Sequence, residues 1–133
     1  MIRLGLRTTA RREFVDLTGR LQDAVRQHGW RDGVLHVYCP HTTAGVTINE
    51  GADPSVQRDI LATLARLVPH RGDYQHAEGN SDAHVQSSLV GAGAWVPVED
   101  GALALGTWQA VFFCEFDGPR SRSVWLQFAV SQP

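Results

Sequence analysis

The chain has 133 residues, enough for one domain with one real core and too few for two. With 43% hydrophobic residues, 20% charged residues and a formal net charge of -2, it lacks the basic field that holds a phosphate backbone, so nucleic acid is excluded as the main partner. All twelve basic residues are arginine, which removes Schiff-base lysine chemistry, the usual pyridoxal phosphate anchor and any phosphate loop ending in Gly-Lys-Ser/Thr.

The first element expected is a strand near residues 2 to 8. Leu17, Leu21, Ala24, Val25 and His28 then recur at helical spacing, with Thr18 as N-cap and Gly29 as stop. Val34 to Cys39 reads as a strand by its β-branched and aromatic content, and Val46-Thr47-Ile48 as another, which leaves His41 between two strands. Asp53-Pro54 is the clearest helix start, a capping side chain followed by Pro at the first helical position; Val56, Ile60, Leu64, Leu67 and Val68 should form its buried face.

A short helix from Ser81 to Leu89, capped by Asn80 or Ser81 and stopped before Gly91, would set His84, Ser87 and Ser88 on one face. The last third is β-rich: Trp95 to Val98, Ala102 to Leu105, Thr107 to Phe116 and Ser123 to Val130, with turns at Glu99-Asp100-Gly101 and Asp117-Gly118-Pro119. Along Thr107 to Phe116, Glu115 and Gln109 are polar among apolar neighbours. The expectation is a single α+β domain over residues 1–133, with antiparallel sheets forming a sandwich and two main helices against it. No apolar run approaches the ~18 residues of a membrane span, and the N-terminus lacks the apolar core of a secretory signal, so a cytoplasmic setting without a membrane partner is expected. Cys39 and Cys114, far apart and without Cys-x-x-Cys spacing, read as buried free thiols.

The chemistry concentrates in residues 73 to 84, where Asp73, His76, Glu78, Asp82 and His84 crowd a stretch bent by Gly79-Asn80. With His41 aimed from a strand end, three imidazoles would make a metal site. His28 and His70 read as structural, and His36 as a half-buried strand residue.

His41-Thr42-Thr43-Ala44, Asn49-Glu50, Asp53-Pro54, His76-x-Glu78-Gly79-Asn80-x-x-Ala83-His84, Gly106-Thr107-Trp108-Gln109 and Asp117-Gly118-Pro119-Arg120 together resemble, in order and spacing, the motifs of the YjbQ-like family over essentially the whole chain. Members are catalogued as secondary thiamine-phosphate synthases, which join a pyrimidine-methyl diphosphate to a thiazole phosphate and release pyrophosphate. The resemblance implies an α+β sandwich assembled as a homotrimer, with zinc held by His41, His76 and His84 and a position left open. It also implies work for Glu50, Glu78 and Glu115 as catalytic or ring-orienting carboxylates, with Asp73 a further candidate for orienting a ring.

Thr42, Thr43, Ser87, Ser88 and Arg120 would contact a small phosphorylated metabolite, Asn49 and Gln109 would belong to the same substrate site, and Trp108 or Tyr74 would stack on a ring. Departure of diphosphate is normally assisted by magnesium, a hard ion unsuited to three imidazoles, so magnesium would arrive with the diphosphate. Two other classes use the same residues: a zinc-dependent phosphoester hydrolase with one of the glutamates as base, and a non-catalytic module that binds a phosphorylated metabolite.

Overall fold

Period-2 alternation and turn chemistry build most of this chain. The protein, represented by a computed structural model, is described over residues 1–132. Among the described residues, eight strands and three helices follow in the order β1 (Ile2–Arg7), β2 (Glu13–Asp16), α1 (Thr18–Gln27), β3 (Gly33–Tyr38), β4 (Ala44–Glu50), α2 (Pro54–Leu67), α3 (Ser81–Val90), β5 (Gly93–Glu99), β6 (Ala102–Leu103), β7 (Gln109–Glu115) and β8 (Ser121–Val130). Every pairing is antiparallel, in one sheet ordered β1-β8-β3-β5-β6 and a second ordered β2-β7-β4. The fold class is the expected α+β sandwich. The four-residue β2, too short to carry a period, was not anticipated.

The two faces of β7 explain the layering. Val111 and Phe113 join Leu35, Val37, Val96, Val124 and Leu126 in the core between the sheets, which α1 closes with Leu17, Leu21, Ala24 and Val25. Ala110, Phe112, Cys114 and Phe116 face the other way, against Ala83 of α3 and Leu61 and Leu64 of α2. A strand covered on both sides reads as a nearly continuous apolar run. Glu115 therefore stands out.

Two local expectations are corrected. Thr18 does not cap α1; its hydroxyl accepts from the Val111 N–H at 2.9 Å and ties the helix to β7, while Leu17 occupies the N-cap position. Asp53 does cap α2, accepting from the Ser55 N–H at 2.9 Å with Pro54 next to it. Yet the proposed buried face of α2 is covered only in part: Leu64 packs against the second cluster, but every residue of the helix is at least partly exposed, and Leu67 is 70% exposed, with only Val68 just beyond the helix buried. Val56, Ile60 and Leu64 line an apolar groove open to solvent. The amphipathic spacing is real; the chain itself covers only part of the stripe. Among the described residues no helix is long and apolar enough to cross a membrane.

Candidate functional site

Pro40 ends β3 by removing a ladder donor, and residues 40–43 then cross to β4 beside α3. The Ser87 hydroxyl clamps this crossing, placed to donate to the Thr42 carbonyl at 2.6 Å and to that of His84 at 2.9 Å. The Cys39 N–H donates to Ala92 O and the Val46 N–H to Gly91 O, so the far end of α3 is stitched to both strands. Gly45 permits that approach, since a Cβ there would stand 2.5 Å from the Gly91 carbonyl. As the sequence spacing implied, His84, Ser87 and Ser88 together line, with His41 and Thr42, a cavity of ≈ 480 Å³.

A buried ion pair supports the floor. Glu115 is fully buried and its carboxylate is saturated: Oε1 accepts from Thr8 Oγ1 at 2.7 Å and Arg122 Nε at 2.9 Å, and Oε2 from Arg122 Nη2 and from the Phe116 and Asp117 N–H groups at 3.1 Å. Burial alone would raise the Glu115 pKa, but these donors and the Arg122 charge hold it below the usual carboxylate value. Arg122 Nη2 continues to Thr43 Oγ1 at 2.8 Å, fixing the residue beside His41 and Thr42. Gly118 lies tight against this network, where a Cβ would come within 2.8 Å of Thr8 Oγ1 and of Glu115 Cγ. Glu115 thus positions the crossing and the 117–120 turn.

Above the floor, Asn80 Nδ2 and Arg120 Nη2 both donate to Asp117 Oδ2 at 2.9 Å, Arg120 Nε donates to the Asp117 carbonyl at 2.7 Å, and Arg11 Nη1 lies 3.5 Å from Asp117 Oδ1. Burial would raise the Asp117 pKa; the hydrogen bonds from Asn80 and Arg120 and the two guanidinium charges lower it instead. Asn80, Asp117 and Arg120, with His41, Thr42, Thr43, Glu78, His84 and Arg122, border a second cavity of ≈ 340 Å³ that shares His41, Thr42 and His84 with the first. Both volumes suit a small ligand. The Arg120 side chain remains 53% exposed at the rim, with guanidinium donors to spare.

The three histidines sit close but not equivalently. His76 and His84 meet edge to face with ring centroids 5.3 Å apart, and both line a third hollow with Asp73 and Tyr74. Glu78 Oε2 is 3.8 Å from His76 Nε2, while the Tyr74 hydroxyl is spent on the Pro69 carbonyl. His41 is different, because its Nε2 accepts the Ser123 N–H at 3.0 Å. A neutral imidazole with Nε2 as acceptor carries its proton on Nδ1, so the remaining hydrogen-bonding group of His41 is a donor. Burial first and the Arg122 charge second lower the His41 pKa, which favours that neutral ring. For zinc, the His76 and His84 pair fits two ligand positions in kind, whereas His41 does not fit as it stands; among the described residues no three His, Cys, Asp or Glu side chains gather for one ion.

The remaining expected site residues lie elsewhere. In the β4–β7 register Ala44 pairs with Glu115 and Glu50 with Gln109, so Asn49, Glu50, Trp108 and Gln109 stand six residues along the sheet, about 20 Å away. Glu50 Oε2 accepts the Ala52 N–H at 2.9 Å in the turn before α2, Asn49 Oδ1 accepts the Glu50 N–H at 2.7 Å, Gln109 Oε1 accepts the Gly106 N–H at 2.8 Å, and Trp108 is 65% exposed. None of the four borders the two cavities. Arg122, Asn80 and Asp117 were not among the expected site residues. Arg122 had a signal, since it falls on the same face of β8 as Val124 and Leu126, where a charge demands a partner.

A family model described as "UPF0047 protein YjbQ-like" matches residues 2–131. The chain is 48% identical over 122 residues to UPF0047 protein MJ1081 of Methanocaldococcus jannaschii, covering 92% of this chain and 88% of that one. It is 48% identical over 126 residues to UPF0047 protein YugU of Bacillus subtilis, covering 93% and 95%. The fold is similar to the crystal structure of a conserved protein of the yjbq/upf0047 family from Clostridium acetobutylicum, with a TM-score of 0.95, 49% identity and coverage of 97% and 100%. It is also similar to the hypothetical protein APE1520 of Aeropyrum pernix, with a TM-score of 0.92, 36% identity and coverage of 97% of each chain.

Proposed function

The chain belongs to the UPF0047 YjbQ-like family, and on that premise we propose that it is an enzyme acting on a small phosphorylated metabolite in the cavity between residues 40–43, α3 and the 117–120 turn. The reaction proposed is that of a thiamine-phosphate synthase. The thiazole nitrogen attacks the exocyclic methylene of the pyrimidine, a C–N bond forms, and the C–O bond breaks with its electron pair leaving on pyrophosphate. The observation that supports this reading is the placement of the Arg120 guanidinium and a donor-bearing His41 ring on one polar cavity. Arg120 holds the diphosphate, and His41 Nδ1–H donates to an oxygen that gains charge as the leaving group departs. Thr42 and Ser88 offer further hydroxyl contacts. Glu78, exposed at the rim, is the carboxylate placed to orient a histidine, whereas Glu50 and Glu115 are already committed to local hydrogen bonds.

Zinc is part of the proposal at His76 and His84, where it would supply Lewis acidity; His41 would join only by releasing Ser123, so no step is drawn through the ion. Magnesium would enter with the diphosphate. A homotrimer completes the reading, with a neighbouring copy covering Val56, Ile60 and Leu64 of α2, and the setting is cytoplasmic, where free Cys39 and Cys114 are at home. Incubation with both substrates tests the reaction. Thiamine phosphate and pyrophosphate should appear in equal amounts and fall sharply in Arg120→Ala. Pyrophosphate or phosphate released without the thiazole would make the protein a hydrolase, and binding without any product would make it a non-catalytic module.

A further inference from the structure

The turn that follows α2 holds a contradiction in hydrogen bonding. His70 Nδ1 lies 3.0 Å from Arg11 Nη2 and 3.2 Å from Asp82 Oδ1, and those two atoms are 3.4 Å apart. Only two sides of this triangle can be attractive at once. A bare Nδ1 accepts from the guanidinium and points its lone pair at the carboxylate; a protonated Nδ1 donates to the carboxylate and points its hydrogen at the guanidinium. The backbone just before His70 is anchored, since the Val68 carbonyl accepts from Gln86 Nε2 at 3.2 Å and the Pro69 carbonyl from the Tyr74 hydroxyl. Asp82 sits in the first turn of α3 with its side chain 3% exposed, so water does not replace a partner it loses. Arg11, 41% exposed, is the member that can shift. Its Nη1 is 3.5 Å from Asp117 Oδ1, on the same carboxylate that Arg120 Nη2 meets at 2.9 Å. Asp117 thus divides its charge between Arg11 and Arg120, and of these two Arg120 borders the polar cavity.

We infer that Arg11 is a positioning residue for Arg120 and that the protonation state of His70 sets which way Arg11 leans. With the ring neutral, Arg11 is held on Nδ1 and Asp82, and Asp117 keeps its grip on Arg120. When the ring takes up a proton, Nδ1–H turns to Asp82 and the guanidinium is displaced toward Asp117. Arg120 is then released to an anion in the cavity. Anion binding tightens as pH falls through the range in which imidazole titrates, through residues that touch no ligand, and by linkage a bound anion favours the protonated ring. Asp82 of α3 and Arg11 of the β1–β2 connection face the ring directly. Arg12 feels the same Asp82 charge, and Arg71 and Asp73 of the ring's own turn are exposed. The inference rests on the reading of Arg120 as the residue that holds an anion and adds its control.

The test is calorimetric binding of inorganic pyrophosphate to the full chain across the range from about pH 8 to about pH 5.5, in the wild type and in His70→Gln. The Gln amide donates to Asp82 and accepts from Arg11 at once, and it does not titrate. The ratio of the two affinities cancels the protons taken up by pyrophosphate and by His41, His76 and His84, which are common to both measurements. The two proteins should bind alike at about pH 8, and the wild type about threefold more tightly at about pH 5.5, the size expected of one half-exposed charge. With Arg11→Ala added to each, they should bind alike throughout; circular dichroism checks that the variants are folded. Nitrogen NMR of the ligand-free wild type needs no variant: the Arg11 and Arg120 Nε signals should move together with the His70 ring as pH falls. A ratio indifferent to pH, a pH-dependent ratio that survives Arg11→Ala, or an Arg120 signal that ignores the His70 ring overturns the inference. Absence of pyrophosphate binding at every pH overturns the reading of the cavity as an anion site, while an Arg120 signal that follows His70 still supports the positioning.

Discussion

Replacing Arg122 by Met removes the guanidinium bonded to a carboxylate that is 0% exposed, from a side chain itself only 5% exposed. The Thr8 hydroxyl and the Phe116 and Asp117 amides stay, but no positive charge remains bonded to Glu115. Breaking a buried pair in this way costs about 3–5 kcal/mol at neutral pH, a large share of the ~5–15 kcal/mol that holds a domain of this size together. The pH dependence carries the diagnosis. In the native wild type the Glu115 pKa is lowered, so the unfolded chain binds more protons; this stability is present above the unfolded value near ~4.3 and is lost as pH falls through the native one.

In Arg122→Met burial is opposed only by the remaining Thr8 and amide donors, so the Glu115 pKa rises above that of the wild type and the native variant takes up a proton more readily than the native wild type does. The gap between wild type and variant should therefore narrow on acidification from about pH 7 toward about pH 4. Urea unfolding followed by circular dichroism at several pH values measures it. Adding Glu115→Gln to Arg122→Met should recover part of the loss, because no charge is then buried. A gap below ~1 kcal/mol, or one indifferent to pH, would refute the reasoning.

In metal-free protein, nitrogen NMR should find His41 protonated on Nδ1 with Nε2 free of hydrogen, and its pKa below the usual ~6.5; the sign is that of a neutral native ring, so its stabilising contribution is lost as pH falls through that lowered value. Arg120→Ala should bind pyrophosphate roughly tenfold more weakly while remaining folded, as one charge-assisted contact at a half-exposed rim is removed. Elemental analysis after zinc loading should show occupancy lost in His76→Ala and His84→Ala and largely kept in His41→Ala. Light scattering should give a trimer for the wild type and a smaller species for Ile60→Arg, which puts a charge into the open groove of α2.

Local signals were legible wherever one residue type forces one backbone state. Asp53-Pro54 started α2 as expected, and the 3.6-residue period brought His84, Ser87 and Ser88 together on the cavity. The stripe on α2 was read correctly as apolar and wrongly as fully covered by its own chain, because periodicity reports which face wants burial and not what buries it. Motif order likewise grouped Asn49, Glu50, Trp108 and Gln109 with His41 and Arg120, although the register of β4 with β7 sends the two sets to opposite ends of one sheet. Glu115 was conspicuous in an apolar strand, but its partner lay seven residues on in another sheet, where only the face shared by Arg122, Val124 and Leu126 betrayed it. That Nε2 of His41 is already taken by Ser123 could not be read from spacing at all.

The central claim is that ligand binds between His41, Asn80, His84 and Arg120 and not at the other end of the β4–β7 pair. Titrating inorganic pyrophosphate into the isotope-labelled protein and following its amide NMR signals tests this most directly. The account predicts that signals of Thr42, Thr43, Asn80, His84 and Arg120 move together along one binding curve, while those of Asn49, Glu50, Trp108 and Gln109 stay in place. Movement confined to the latter set would contradict it.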